Sequence, residues 1–244
     1  MSETPQVNDS EQDIQKTKKK QSKILKSTLE LVSIVVLAMV ISFVLKTYLV
    51  QTFYIPSESM QNTLQVNDRI IVNKLVSDED DLNRGDVIVF KDTKKWLPPA
   101  QEENPNPIKK LMINIGISSN DTENYLVKRI IGMPGDNVKC CNADGKISIN
   151  GQEIDEPYLY TGNAPSEREF DVTVPDGKVW VMGDHRSDSA DSRSHQNLPS
   201  KGFIDIKDIQ GRGSAIVWPI ENFGSINSYS ETFENVPAPE KTSN

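Results

Sequence analysis

YLVKRIIGMPGD, Tyr125–Asp136, carries the signals of a β-strand that ends in a turn. Its first seven residues are mostly aliphatic, β-branched or aromatic, and Gly-Met-Pro-Gly stops the run. Alternate residues of a strand share a face, so Lys128 points with Leu126 and Ile130 while Arg129 points the other way. A lysine on the apolar side of a strand is unusual. One reading is an amine that snorkels to water at an edge. The other is a buried amine whose charged form is disfavoured, so that its pKa falls towards what a general base near neutrality requires.

Similar strand signals flank this stretch on both sides. RIIV (Arg69–Val72), DVIVF (Asp86–Phe90), KISIN (Lys146–Asn150), DVTV (Asp171–Val174), KVWVM (Lys178–Met182) and SAIVW (Ser214–Trp218) are short and rich in β-branched or aromatic residues. Asp144-Gly145, Asn150-Gly151 and Asp176-Gly177 supply turns between several of them. No useful helical period appears after residue 60. Residues 51–223 therefore read as a mostly β domain built from hairpins and closed or folded on itself. Residues 94–124, rich in Pro, Asn and charge, read as an insertion between two strands, and residues 224–244 as a polar, disordered tail.

Before the β domain the composition changes sharply. Residues 1–26 are polar and end in Lys16, Lys18, Lys19, Lys20, Lys23 and Lys26, a disordered tail by composition. LELVSIVVLAMVISFVLKTYLV (Leu29–Val50) then runs for 22 residues, enough for a helix to cross a bilayer, with Glu30 and Lys46 near its ends. Apolar residues on every face favour a membrane span over a buried soluble helix. A cleavable signal peptide would have a shorter apolar region and a small-residue site. Residues 27–50 are therefore expected to form a permanent single-pass anchor. The lysines before it place the N-terminus inside and the rest of the chain on the extracytoplasmic side of the cell membrane.

Composition narrows the functional classes. The formal net charge of −8 argues against nucleic-acid binding. The two cysteines, Cys140 and Cys141, are adjacent and supply neither a disulfide framework nor a closed zinc site. A vicinal bridge between them is one possibility, and two free thiols beside a turn the simpler one. His185 and His195, the only histidines, sit in no nucleophile elbow.

Two further segments could carry chemistry. FYIPSESM (Phe53–Met60) lies within about ten residues of the apolar run and places two serines at i, i+2 after a proline; alone it is most simply a Ser-rich turn. MGDHRSDSADSR (Met182–Arg193) follows a strand and interleaves Asp184, Asp188 and Asp191 with Arg186, Arg193 and three serines. It reads as a solvated loop tied by Asp–Arg pairs, and its spacing is not that of a calcium-binding EF-hand.

Together and in this order, the PSxSM box at Pro56–Met60, KRIIGMPGD at Lys128–Asp136 and the GDxRxxSxDSR box at Gly183–Arg193 resemble the bacterial type I signal peptidases of peptidase family S26. The resemblance covers the anchor and most of Thr52–Pro219. It implies the family's mostly β catalytic core behind one transmembrane helix, and a serine endopeptidase that removes signal peptides after small, A-x-A-like residues. Carried over residue by residue, it implies Ser59 as nucleophile and Lys128 as general base. The backbone N–H of Ser59 and the hydroxyl of Ser57 would form the oxyanion hole, and Ser189 would hydrogen-bond and orient the lysine. Asp191 and Arg193 would be a buried structural pair, and Phe53, Ile55 and Val127 would line substrate pockets. Glu58 stands where Gly is frequent and His185 where Asn is more usual; both lie between the carried-over positions.

The implied partners are signal-peptide-bearing preproteins, the lipid bilayer and, by proximity, the secretion translocon, with no metal and no organic cofactor. A LexA-like self-cleaving Ser-Lys repressor would need a DNA-binding domain where this chain has an apolar span. The alternative from another class is a membrane-tethered, non-catalytic β domain that binds a peptide or an assembly partner.

Overall fold

The computed structural model describes residues 26–43, 49–76, 78–98 and 125–239. Residues 1–25, and most of the insertion at 94–124, lie outside these. The chain divides into two units, Met1–Tyr48 and Leu49–Asn244.

In the first unit, helix α1 (Lys26–Phe43) has 18 residues, about 27 Å of rise at 1.5 Å per residue. Leu29, Leu31, Val32, Ile34, Val35, Leu37, Met39 and Phe43 are all exposed, so the helix has no polar face to turn to water. The span expected at 27–50 is corrected at its C-terminal end. Residues 44–48 lie outside the described set, and Val50 opens a strand rather than closing a helix. Leu49-Val50 prolong an apolar run by composition, but strand pairing claims Val50.

The second unit holds two antiparallel sheets. The larger runs in the order β1 (Val50–Tyr54), β2 (Arg69–Asn73), β11 (Ile209–Trp218), β3 (Val87–Lys91), β4 (Tyr125–Gly132), β9 (Lys178–Met182), β10 (Ile204–Asp205), with β12 (Gly224–Ser225) paired to β11. Among the described residues its edges β1 and β10 do not pair with each other, so this sheet is open. The smaller sheet has the order β7 (Gln152–Glu153), β6 (Ile147–Ile149), β5 (Asn137–Cys140), β8 (Phe170–Thr173).

Strand β4 occupies the middle of the larger sheet, flanked by β3 (Ile88 opposite Lys128) and β9 (Arg129 opposite Met182). At Gly132 the chain leaves this sheet for the smaller one, and a side chain there would meet Val138 at 2.5 Å. The following turn, with Gly135 at φ 84°, closes on Asp136. That buried carboxylate accepts from the Met133 amide, from both ends of the Arg84 guanidinium (2.6 and 2.7 Å) and from Asn150 Nδ2. The GMPGD signal is thus the crossover between the two sheets. Asn150 and Gly151, both at positive φ, form the tight turn from β6 to β7 that the Asn-Gly pair predicts.

Three apolar clusters fill the domain. Ile55, Met60, Leu64, Ile70, Val72, Val87 and Val89 form one beneath the serine segment. Ile88, Phe90, Ile130, Val179 and Val181 belong to a second, and Ile131, Val138, Ile149, Tyr158 and Trp180 to a third.

One further expectation is corrected, and one open alternative is decided. Residues 224–239 are not a loose tail: they form β12 and the short helix α2 (Ser230–Phe233), and Phe233 and Val236 are buried in the third cluster. Two apolar anchors outweigh a polar composition. Cys140 and Cys141 are joined as a vicinal disulfide at the end of β5, where two free thiols were the simpler sequence reading.

Candidate active site

The serine segment is held from below. Ile55 is paired by backbone hydrogen bonds to Asp68 and Asn67 (both 2.9 Å), and Ile55, Met60 and Leu64 are at most 2% exposed. A turn closes directly after the serines, with the Gln61 amide on the Glu58 carbonyl and the Leu64 amide on the Met60 carbonyl. These anchors fix Ser57, Glu58 and Ser59 above the apolar cluster. Ser59 is buried, whereas Ser57 and Glu58 face solvent.

Lys128 is brought to this segment from β4, 69 residues away in the chain. Its Nζ donates to Ser59 Oγ at 2.6 Å and to its own strand's Val127 carbonyl at 2.9 Å. Leu126 and Ile130 on the same face, and Ile88 across in β3, all belong to the second apolar cluster, and Lys128 is 2% exposed. Burial pushes its pKa down to about 8 against a smaller opposing pull from Asp191, Asp184 and Asp188. Of the two sequence readings, the buried amine is the one the structure contains.

Ser57 Oγ lies 3.3 Å from Ser59 Oγ, so the two hydroxyls share one small space. Phe53, Ile55 and Val127 come together in the apolar cluster next to the serines, Phe53 packing edge-on to Tyr125. Ile55 itself is almost wholly covered, so any surface there comes mainly from Phe53 and Val127. The cleft of about 280 Å³ lined by Asp86, Arg212 and Ser228 contains none of these residues.

The loop after β9 closes the other side. The His185 amide donates to the Ser59 carbonyl (3.2 Å), and a side chain at Gly183 would meet that carbonyl at 2.4 Å, so only glycine permits the approach. The loop is stiffened by Arg193, whose guanidinium grips Asp191 at 2.7 and 2.9 Å and the Arg186 carbonyl at 2.8 Å. Asp191 also accepts from the Gly183 amide. Burial alone would raise the Asp191 carboxyl, but Arg193 and that amide hold it below the ordinary value.

The expected hydrogen bond between Ser189 and the lysine is absent. Lys128 Nζ is engaged by Ser59 and Val127 instead, and Ser189 Oγ is buried with no partner in hydrogen-bond geometry. That hydroxyl sits by Gly183 and approaches the Asp191 carboxylate closely enough to favour its charge without forming a well-directed bond.

A second constellation escaped the sequence reading. Arg129, wholly buried, forms a two-point pair with Asp184 (2.9 and 2.7 Å) and donates to the Gly85 carbonyl, the Asn227 carbonyl and Thr63 Oγ1. Thr63 in turn donates to Asp184 at 2.5 Å. The guanidinium lies over the Tyr158 ring at 4.2 Å. Arg186 and Glu156 form a similar buried pair. The partners lie far apart in sequence, and only the Asp–Arg richness of the loop hinted at them.

The profile of the family described as signal peptidase, peptidase S26 matches residues 28–218. The chain belongs to this family. It is 36% identical over 228 residues to signal peptidase I of Mycobacterium tuberculosis (strain ATCC 25618 / H37Rv), covering 83% of this chain and 77% of that one. It is 32% identical over 216 residues to a probable signal peptidase I-2 of Synechocystis (88% and 84% covered). It is 29% identical over 211 residues to signal peptidase I S of Bacillus subtilis (83% and 95% covered). A crystal structure of a signal peptidase I from Enterococcus faecalis V583 matches with 25% identity and a TM-score of 0.34, covering 54% of this chain and 95% of that one. This signal peptidase is a hydrolase of the serine-peptidase type acting on signal-peptide-bearing preproteins, and the apolar helix α1 fits a membrane-anchored member.

Proposed function

We propose that this signal peptidase cleaves by a Ser59–Lys128 dyad through an acyl-enzyme, after small residues in an A-x-A-like pattern. The observation that carries the reading is the 2.6 Å contact between a buried amine and a buried hydroxyl, with the amine's pKa pushed down to about 8. Such an amine is neutral in a useful fraction near neutral pH. In that form the contact reverses its sense, and the Ser59 hydroxyl donates to Nζ.

As Ser59 Oγ attacks the carbonyl after the signal peptide's last residue, its proton passes to Lys128. The Ser59 amide and the Ser57 hydroxyl would donate to the oxyanion, a contribution of about 3–4 kcal/mol per donor. Collapse of the intermediate expels the new amino terminus of the mature chain, which takes the proton from Lys128. Water then attacks the ester and gives its proton to Lys128; the acyl–Oγ bond breaks, Lys128 passes that proton to Ser59 Oγ, and the signal peptide leaves with a new carboxyl terminus. The loop pair Asp191–Arg193 keeps Gly183 and the His185 amide against Ser59, so its role is positional.

A substrate laid as an added strand would turn its −1 and −3 side chains to one face. Phe53 and Val127 offer the apolar surface for them, with Ile55 as its floor. The lysines before α1 favour a single pass with the N-terminus inside and the β domain on the extracytoplasmic side, beside the bilayer and near the translocon. A synthetic Ala-x-Ala signal peptide tests the chemistry: native protein cleaves it, and Ser59→Ala and Lys128→Ala lose at least ~10⁴-fold in kcat/KM. Undiminished cleavage by a folded variant would remove its residue from the dyad and favour a binding role for the domain.

A further inference from the structure

Glu58 and His185, the two departures from the family's usual residues, meet in space. They do so together with Asp188: one ligand atom from each of the three residues lies within 4.8 Å of the others. The arrangement is built by contacts already described. The His185 amide on the Ser59 carbonyl fastens the loop to the Glu58 segment, and the Asp188 amide donates to the His185 carbonyl at 3.0 Å. That bond opens a 3₁₀ turn (Arg186–Asp188), in which side chains three apart stand one above the other. His185 caps this turn, and its imidazole and the Asp188 carboxylate each bring a ligand atom to the same place.

The imidazole is oriented by stacking on Tyr160, with ring centroids 4.2 Å apart. Its Nδ1 is shut off from solvent and has no hydrogen-bond partner, an uncompensated polar atom of the kind an ion or ligand commonly satisfies. Among the described residues, no ion pair or side-chain hydrogen bond joins His185 to Glu58 or Asp188, so the carboxylates and the imidazole do not satisfy one another. One imidazole and two carboxylates are a donor set that suits zinc-class cations and leaves a fourth position open. An ion among them would need the exposed carboxylates to close by less than an ångström to reach the ~2.0–2.2 Å of zinc coordination.

We infer that Glu58, His185 and Asp188 bind a zinc-class divalent cation beside Ser59. The ion is not a participant in the peptidase chemistry; it stands one residue from the nucleophile. Resting on the peptidase reading, its presence is expected to obstruct substrate entry and slow cleavage reversibly.

Full-length protein in detergent, freed of metal by chelation, is titrated calorimetrically with Zn²⁺. One ion per chain is expected for native protein, with affinity at least tenfold weaker for His185→Asn and for Asp188→Asn. Unfolding temperatures of the metal-free variants close to native exclude a folding defect. Zinc-edge X-ray absorption should show one imidazole and oxygen donors without sulfur. No binding by native protein, equal affinity in the variants, or sulfur scattering that places the ion on Cys140 and Cys141 would overturn the site. In the peptide assay, zinc should slow native protein and spare His185→Asn. Zinc binding at full native activity would sink the inhibitory role while leaving both the site and the dyad intact.

Discussion

Lys128 and Arg129 are neighbours on one strand, both cationic by type and both withdrawn from water, yet the protein treats them in opposite ways. Arg129 is given a full set of partners. Burial alone would lower its pKa, but Asp184 outweighs burial and holds it above the ordinary value. Lys128 receives no carboxylate contact, only a hydroxyl and a carbonyl, so burial dominates and the neutral amine becomes accessible. A fixed charge and a titratable base come from the same environment by pairing one and leaving the other unpaired. Guanidinium could not have served as the base, because it does not deprotonate in proteins.

The sharpest way to break the comparison is Lys128→Arg, which puts a permanent charge where a neutral amine is needed. Peptide cleavage should fall by at least ~10⁴-fold even where the variant remains folded, and substantial activity would contradict the role of deprotonation. Asp184→Asn attacks the other face by stripping Arg129 of its counter-ion. A loss of ~3–5 kcal/mol is expected, read from denaturant unfolding of the detergent-solubilised protein.

The pH dependence separates the two cations further. Only uncharged Lys128 can accept the Ser59 proton, so kcat/KM should rise about tenfold per pH unit below about 8 and level off above it. A flat profile across that value would mean that another group limits the reaction. The same shift acts on stability. Between about 8 and the ordinary lysine value the unfolded chain holds a proton that the folded chain has lost, so stability contributed by this group increases with pH through that window. The smallest effect is expected from Lys128→Met: a volume-conserving apolar replacement in a mostly apolar setting should change stability by less than ~1.5 kcal/mol, in contrast to Asp184→Asn.

Strands β2, β3, β4, β6, β8, β9 and the end of β11 are legible because their β-branched runs and Gly-containing turns act over a few residues. Strand β1 is hidden because Val50 also fits the end of an apolar span, and β5 because NVKC has too little apolar pattern to stand out. The ordering of residues 224–239 depends on Phe233 and Val236 finding a cluster made by distant strands. Ser59 and Lys128 stood out through motif resemblance, whereas the hydrogen bond expected of Ser189 is not formed, its hydroxyl lying beside Gly183 and the Asp191 carboxylate.

Composition and local pattern by themselves determined an apolar N-terminal helix, a mostly β domain, and three motif segments carrying serines, a lysine and an Asp–Arg loop. These follow from hydropathy and from the two-residue period of a strand, which neighbours in the chain impose. Only the tertiary structure decided that Lys128 is sheltered while Arg129 is paired, and that Glu58, His185 and Asp188 converge. The electrostatic state of a side chain depends on which distant groups the fold brings within a few ångströms of it, and on how much water the fold excludes.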